Sequence, residues 1–273
     1  MSLPWARAVL AILVAVALPG AGEVRALRVC ADPDNLPFSN AAGQGFENRI
    51  VAIVAKELGA ALTYTWTPQW RGFVRKTLDA GTCDVVAGVP AGIHRLRTTK
   101  PYYVSTYAVV QPASASAIAS FDDGRLAHAR IGVQLVGEDG ANTPPMDALA
   151  HRGLTGNVRG FMVYGDGSGA ARLEPIMRAV AEGDVDVAFV WGPVAGYFAS
   201  RESAALRVTP MPPDAGAHLA FPIAMGVRKG DAALAAEIDS AIAARRAEIA
   251  EVLDAYDVPR LSLAQSVVAR PEP

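Results

Sequence analysis

The chain has 273 residues, of which 51% are hydrophobic and 19% are charged, and its formal net charge is -2. This length suits one large or two modest domains, because a domain usually spans ~100 to 200 residues. The nearly balanced charge excludes a broad basic surface for nucleic acid or anionic lipid, so we expect neither as a partner.

The first 26 residues have the composition of a secretory signal peptide. Arg7 precedes an apolar stretch over residues 8–18, and several small residues follow that stretch. This order predicts export and removal of residues 1–26, with more than one small residue suiting the cleavage site. A membrane anchor is the competing interpretation, but the stretch is shorter than the ~20 residues that a spanning helix needs.

The first half of the mature chain alternates strands and helices. We predict strands over residues 27–31, 62–66 and 83–89, and helices over 46–58 and 71–80. A β-α-β-α-β series of this kind indicates a mostly parallel sheet with right-handed crossovers.

The chain contains two cysteines, Cys30 in the first predicted strand and Cys83 at the start of the third. An even count in an exported chain favours one disulfide, and the two strands are able to run side by side. The alternative is two reduced, buried thiols. A metal site is disfavoured because no histidine or further cysteine lies nearby in the sequence.

A second α/β series follows an aromatic, β-branched segment at residues 102–110, which we expect to cross between two lobes. The strands of that series are predicted at residues 129–135, 158–163 and 185–190, and its helices at 145–152 and 173–181.

The last part of the chain returns to the first lobe. Residues 219–227 form a further extended segment, and residues 232–255 show the spacing of one long amphipathic helix. The predicted domains are lobe 1 at 27–110 plus 219–260, lobe 2 at 111–218, and a tail at 261–273. Two lobes joined by two crossings predict a hinged cleft with contacts from both sides.

Trp191-Gly192-Pro193 directly follows the last strand of the second series. The carboxyl ends of strands in an open α/β sheet face the ligand crevice. An indole and a proline at this place favour a flat apolar contact, whereas a carboxylate would bind an ammonium group. The competing interpretation is that Trp191 belongs to the core.

Catalysis has little support in the sequence. His94, His128, His151 and His218 are scattered without the spacing of a metal site or a nucleophilic triad. The glycine-rich segment at 165–170 fits the loose pattern of dinucleotide binding, but a strand-to-helix turn accounts for it. We therefore predict no catalytic residue, no metal site and no cofactor.

Several motifs, in order along nearly the whole mature chain, resemble those of one protein family. They are VCADP at 29–33, NLPFS at 35–39, GFEN at 45–48, RGFVR at 71–75, CDVV at 83–86, GVPAG at 88–92, TTKPYY at 98–103, IGVQL at 131–135, DGANTPP at 139–145, VYGD at 163–166 and VWGPVAGYF at 190–198. The chain resembles the type II periplasmic solute-binding proteins that serve amino-acid transporters. More closely, it resembles the MoxJ and XoxJ group, methanol-dehydrogenase-associated accessory proteins found with pyrroloquinoline-quinone (PQQ)-dependent alcohol dehydrogenases.

This resemblance implies an α/β fold of the type II periplasmic binding protein class, with two lobes, each a mostly parallel sheet flanked by helices, joined by two hinge crossings. It also implies a periplasmic, non-enzymatic accessory factor, monomeric on its own, that assists maturation or activation of a PQQ-dependent methanol or alcohol dehydrogenase. The alternative is a transporter's substrate-binding protein for a small aromatic or quinone-like solute.

Two departures from the amino-acid receptors support the accessory role. Such receptors place an arginine after the first-lobe strand to bind the substrate carboxylate, and here Pro90-Ala91-Gly92 stands there. Arg95, a few residues later, is the alternative group for binding a substrate carboxylate. In the second lobe, Trp191-Gly192-Pro193 replaces the acidic residue that would receive the substrate ammonium.

The candidate cleft combines aromatic anchors with polar and charged neighbours, a mixture typical of protein interfaces. For each aromatic residue the alternative is core packing, and for each charged residue it is a solvated rim. Glu47 is also suited to the first turn of its helix. The candidate residues for the cleft and partner binding are Asp32, Asn35, Phe38, Glu47, Trp70, Arg71, Pro90, Asp139, Asn142, Tyr164 and Trp191.

Overall fold

The structure is a computed structural model that describes residues 25–136, 142–163 and 173–262. The strands are β1 (Ala26–Ala31), β2 (Asp34–Asn35), β3 (Ser39–Asn40), β4 (Ala61–Trp66), β5 (Val85–Pro90), β6 (Arg97–Thr98), β7 (Tyr103–Pro112), β8 (Ile131–Leu135), β9 (Val158–Met162), β10 (Val187–Trp191), β11 (Leu206–Pro210) and β12 (Ala220–Val227). The helices are α1 (Phe46–Glu57), α2 (Phe73–Lys76), α3 (Pro144–His151), α4 (Pro175–Ala181), α5 (Gly192–Ala199), α6 (Ala232–Ala244) and α7 (Arg246–Ala255), with a 3-10 turn at Gly124–Ala127.

One continuous mixed sheet runs in the order β4-β1-β5-β12-β7-β10-β8-β9, with β6 added on β12 and β11 on β7. In its first half, β1 is parallel to β4 and β5, and in its second half β8 is parallel to β9 and β10. Strands β7 and β12 run antiparallel to their neighbours at the centre. The predicted fold class, two α/β units of the periplasmic binding protein type, is confirmed.

Strand β7 carries the chain from one half of the sheet to the other. Its residues 103–106 pair with β12, whereas its residues 107–110 pair with β10 and its residues 108–112 with β11. The crossing segment predicted at 102–110 is therefore present. The domain boundaries at 110/111 and 218/219 stay a prediction.

Helix α1 covers the first half of the sheet with an apolar face. Phe46, Ile50 and Val54 recur at helical spacing and are fully buried in the same core cluster as β1 and β5. The Asn48 side chain accepts hydrogen bonds from the amide of Gly45, directly before the helix, and from the amide of Asn40 in β3, at 3.0 Å each. Gly59, with φ of +61°, supplies the left-handed turn that lets β4 begin.

The predicted disulfide between Cys30 and Cys83 is present, with a distance of 5.4 Å between the Cα atoms. It is possible because β1 and β5 are adjacent and Cys30 pairs with Val86 in their register. The bridge closes a loop of 53 residues, which stabilises the fold by about 4 kcal/mol in the chain-entropy account.

Two predicted helices are wrong in extent. The helix expected over 71–80 is a single turn, α2, because Gly72 enters it from a left-handed conformation and the Thr77 hydroxyl donates to the Phe73 carbonyl at 2.7 Å. The long helix expected over 232–255 divides into α6 and α7 at Arg245. The break lets buried side chains of both helices reach the same core cluster.

The ends of the chain are described in part. The predicted signal segment at 1–26 lies outside the described residues except for its last two, and Ala26 opens β1. The predicted tail at 261–273 is described only for two residues, of which Leu261 donates its amide to Val104 at 3.0 Å. None of the helices described in the structure has both the length and the apolar character for a membrane span.

Candidate functional site

A cavity of about 390 Å³ lies between the two halves of the sheet. This volume is within the range of ligand-binding pockets, ~300 to 1,000 Å³. Its described lining is Asn35, Phe38, Glu47, Gln69, Gly88, Pro90, Tyr103, Tyr107, Gln134, Val136, Thr143, Val163, Leu173, Trp191, Val194, Phe221 and Ile223. Eleven of these seventeen residues are aromatic or aliphatic, so the described cavity wall offers largely apolar contact.

An aromatic cluster around Trp191 forms one wall of the cavity. Trp191 ends β10 and pairs in register with Tyr107 of β7, which brings their rings to 5.2 Å in an edge-to-face arrangement. Phe221 of β12 contacts the indole in the same way, with the ring centroids 5.8 Å apart. Three strands from both halves of the sheet therefore hold the Trp191 side chain at the cavity.

A hydrogen bond to the Gln134 side chain holds the backbone at Trp191 in place. The Trp191 amide donates to Oε1 of Gln134 at 2.8 Å, and Gln134 is buried at the end of β8. Thr143 in turn donates its hydroxyl to the Gln134 carbonyl at 2.6 Å. This chain of hydrogen bonds sets where β10 ends and helix α5 begins.

Glu47 contributes the one carboxyl group of the described cavity lining. It lies in the first turn of α1, and its Oε1 lies against Gly88 of β5, where a Cβ atom would overlap it. Surrounding protein desolvates this group, and that burial raises the pKa of Glu47 to about 8. At neutral pH the carboxyl is therefore mostly protonated and able to donate a hydrogen bond.

The tyrosines near Glu47 remain neutral over the physiological pH range. Burial raises the pKa of Tyr102 and Tyr103 well above the ordinary value, and the neighbouring Glu47 raises both further. Burial also raises the pKa of Tyr107. Because no arginine, lysine or histidine belongs to the described lining, the cavity has no cationic group there to bind a substrate carboxylate.

The structure brings together five of the eleven sequence-predicted site residues. Those that line the cavity are Asn35, Phe38, Glu47, Pro90 and Trp191.

Four of the other six predicted residues are described, and they lie outside the cavity lining. The Asp32 carboxylate is buried and accepts the amides of Asp34 at 2.9 Å and Gln69 at 2.7 Å, so it shapes the loop instead of facing a ligand. Trp70 is 43% exposed, and neither it nor the exposed Arg71 belongs to the cavity lining. Asn142 is exposed outside the lining as well, whereas Asp139 and Tyr164 lie outside the described residues.

The aromatic residues of the crossing strands were not among the predicted site residues. Tyr103 and Tyr107 are four residues apart in β7, so their side chains share one face of that strand. Phe221 of β12 pairs with Ser105, which lies between the two tyrosines on the same face. The available signal was the aromatic composition of segment 102–110 together with its predicted position between the lobes. A strand that crosses between lobes necessarily passes the cleft.

Two alternative chemistries find no support in the described structure. Arg95 forms an ion pair with Asp79 on the surface and does not line the cavity. Within residues 25–136, 142–163 and 173–262, no group of three or more His, Cys, Asp or Glu side chains is placed to hold a metal ion. The glycine-rich segment at 165–170 lies outside these ranges.

Comparison with known proteins agrees with this architecture. Residues 27–256 match the family described as bacterial extracellular solute-binding proteins, family 3. Protein MoxJ of Methylorubrum extorquens is 34% identical over 260 residues, covering 90% of this chain and 84% of the relative.

Two crystal structures resemble the whole described fold. Periplasmic binding protein XoxJ from Methylobacterium extorquens AM1 superposes with a TM-score of 0.72 at 34% identity, covering 86% of this chain and 99% of that protein. MxaJ from Methlophaga aminisulfidivorans MPT gives a TM-score of 0.74 at 25% identity, with coverage of 86% and 100%.

Proposed function

We propose a function for this chain, which belongs to the bacterial extracellular solute-binding proteins, family 3, and is a MoxJ- and XoxJ-like binding protein. The proposed function is that of a non-enzymatic periplasmic accessory factor, which binds a PQQ-dependent methanol or alcohol dehydrogenase and assists its maturation or activation. The chemistry and the cofactor belong to the dehydrogenase.

The observation that carries the proposal is the aromatic wall formed by Trp191, Tyr107 and Phe221 in the cavity. Aromatic side chains held rigidly by their neighbours are the residues that most often dominate protein interfaces. A free amino acid needs a cation for its carboxylate, and the described lining provides none. The wall suits an apolar side chain of a partner segment better than a zwitterion.

Glu47 adds a polar contact of the right kind for a polypeptide. A protonated carboxyl donates a hydrogen bond, and the backbone carbonyls of an inserted segment accept one. The cavity of about 390 Å³ has room for a few side chains, so it takes a loop or a chain end instead of a whole surface. Binding that segment more tightly in the apo dehydrogenase than in the mature one would shift the enzyme toward the cofactor-accepting state.

The test measures activation of the purified apo dehydrogenase with PQQ and metal, with and without this protein. We expect Trp191→Ala to lower the affinity for the dehydrogenase at least 10-fold and to slow activation, because the aromatic wall is lost. Trp70→Ala is the matched control, since Trp70 is exposed outside the cavity and its loss should leave activation nearly unchanged. Equal activation by both variants and the unchanged protein would contradict the proposal, provided that circular dichroism shows Trp191→Ala to be folded.

A second candidate function is suggested by the size of the cavity. A volume of about 390 Å³ with a single neutral carboxyl donor also suits a small aromatic or quinone-like solute that would be delivered to a membrane transporter. Calorimetry with menadione and hydroquinone separates the two candidates. Tight binding of either compound in the absence of dehydrogenase favours the transport function, and no binding favours the accessory function.

The proposal places the mature protein in the periplasm. The family is described as extracellular, and the sequence predicts a removable segment at residues 1–26. Mass spectrometry of the protein recovered from a periplasmic extract should give a mass that lacks this segment. The mass of the full chain in that fraction would contradict cleavage.

A further inference from the structure

A second, smaller groove lies apart from the interlobe cavity and is built around two stacked tyrosines. The rings of Tyr197 and Tyr256 are 5.6 Å apart between centroids and nearly parallel, at 14°. The guanidinium of Arg49 lies 5.1 Å from the centroid of the Tyr256 ring, and that of Arg201 lies 3.6 Å from the centroid of Tyr197. The groove has a volume of about 310 Å³.

The four side chains form an ordered row. Each guanidinium lies over a different ring of the stacked pair, so one cation stands at each tyrosine. In order of contact, the row is Arg49, Tyr256, Tyr197 and Arg201. Stacking on aromatic rings holds both cations in place before any ligand binds, which reduces the entropy lost on binding.

The row joins the two halves of the molecule. Arg49 belongs to α1 and Tyr256 directly follows α7, and these two helices pack against each other in the first half. Tyr197 lies in α5, and Arg201 follows that helix, which packs on β10, β11 and β7 of the second half. A ligand that spans the row thus contacts both halves at once.

Neither guanidinium is neutralised by a carboxylate in the part of the chain that the structure describes. Arg201 donates through Nη1 to the Tyr197 carbonyl at 2.7 Å and to the Ser200 hydroxyl at 3.0 Å, which leaves its other donors unused. By contrast, Arg28 and Arg130 pair with Asp84 and Asp186, at 2.6 Å each. The groove is therefore a local excess of positive charge in a protein whose net charge is -2.

The charges of Arg49 and Arg201 both affect the pKa of the Tyr256 hydroxyl. Burial raises the pKa of Tyr256, and the charges of Arg49 and Arg201 each oppose that rise. The two guanidinium groups consequently share one electrostatic environment, although the stacked rings separate them. A small anion would contact one end of the row, whereas a segment with two carboxylates would contact both ends.

We propose that the groove formed by Arg49, Tyr256, Tyr197 and Arg201 is a second binding site, which takes an acidic segment of a partner protein. Two aspartate or glutamate side chains of that segment accept hydrogen bonds from the exposed guanidinium forks, and the chain between them passes over the half-buried Tyr197, while Tyr256 is buried beneath. The site is independent of the interlobe cavity, so its existence does not depend on what the cavity binds.

The test measures binding of an acetylated and amidated hexaglutamate peptide by calorimetry at low ionic strength. We expect the double variant R49Q/R201Q to bind it at least 10-fold more weakly than the unchanged protein. Arg246→Gln is the matched control, because Arg246 is exposed at the start of α7 outside the groove, and we expect its affinity to change less than 2-fold. A hexaglutamine peptide should not bind.

Several outcomes would overturn the proposal. The first is equal hexaglutamate affinity for R49Q/R201Q and the unchanged protein. The second is inorganic phosphate binding to the groove as tightly as the peptide, because the site would then serve a free anion. If R49Q/R201Q does not fold, R49K/R201K replaces it; this variant keeps the charges but loses the forks, and an undiminished affinity contradicts recognition by guanidinium groups. Trp191→Ala should leave the peptide affinity unchanged, which separates this site from the cavity.

Discussion

Oε1 of Glu47 lies directly against the Cα atom of Gly88, in the space that a side chain at position 88 would occupy. Gly88 is in β5, and Glu47 is in the first turn of α1, so the contact joins a strand and a helix of the first half. The absence of a Cβ atom at Gly88 is what allows the carboxyl group to enter the cavity wall.

Gly88→Ala should therefore displace the Glu47 carboxyl. The new methyl group would overlap Oε1, which ends a side chain that can turn aside, so we expect a loss of about 1 kcal/mol in the free energy of unfolding, the low end of the usual range for overpacking. Urea denaturation measures this change. Gly124→Ala is the control, since a Cβ atom there meets nothing within 4 Å, and a loss as large as that of Gly88→Ala would contradict the explanation.

The raised pKa of Glu47 gives the stability a specific dependence on pH. Burial raises the pKa to about 8 in the folded protein, so between the ordinary value of 4.5 and about 8 the folded state holds a proton that the unfolded state has released. The stability that Glu47 contributes is complete below pH 4.5 and is lost as the pH rises through 8. Compared with Glu47→Gln, the unchanged protein should lose up to about 1.4 kcal/mol more per pH unit across this window. Parallel stability curves for the two proteins would show that Glu47 is ionised at neutral pH.

The Gln134 side chain should stabilise the fold through its hydrogen bond to the Trp191 amide. Its Oε1 accepts the Trp191 amide at 2.8 Å, and Gln134→Leu would leave that amide without a partner, at a cost of about 1 to 3 kcal/mol. Gln69→Leu is the control, because the Gln69 side chain is exposed and, among the described residues, accepts only a long hydrogen bond, of 3.3 Å, from Asn35, while its backbone bond to Asp32 is unaffected by the change. Similar melting temperatures for both variants would refute the role given to Gln134.

The parallel strand series, the disulfide and the crossing strand could be predicted from the sequence, because each follows from a local pattern of residues. Alternating strands and helices identified the parallel series, and two cysteines in strands that become neighbours identified the disulfide. The aromatic segment at 102–110 identified the crossing strand β7. Helix α5 and strand β11 were missed, since Gly192-Pro193 suggests a turn in the sequence although both residues open a helix in the structure.

The candidate site was predictable only in part, because side-chain roles depend on distant partners. Asp32 was expected in the cleft, but its carboxylate is used by two backbone amides, one of them from Gln69, 37 residues away. The protonated state of Glu47 depends on burial among residues of β5 and β7, which no local pattern reveals. The break at Arg245 likewise accompanies the packing of α6 and α7 against one core cluster, which depends on residues far away in the sequence.

Gly196 in helix α5 gives a direct test of how closely the two halves approach. A Cβ atom at this position would overlap the backbone carbonyl oxygen of Asp257, a residue held at φ of +53° just after α7. Replacing a glycine by alanine within a helix normally stabilises a protein by roughly 0.5 to 1 kcal/mol. Here we expect the opposite sign, a loss of about 2 kcal/mol, because helix α5 must move away from residues 257–259.

The same Gly196→Ala change should also disturb the tyrosine row, since Tyr197 and Tyr256 are the immediate chain neighbours of the two residues that clash. Thermal unfolding followed by circular dichroism measures the stability, and hexaglutamate calorimetry measures the groove. Gly156→Ala is the control, because nothing lies within 4 Å of a Cβ atom at that position. If Gly196→Ala proved as stable as Gly156→Ala, the two halves would not be in contact at α5, and the acidic-segment site would lose the geometry that joins its two arginines.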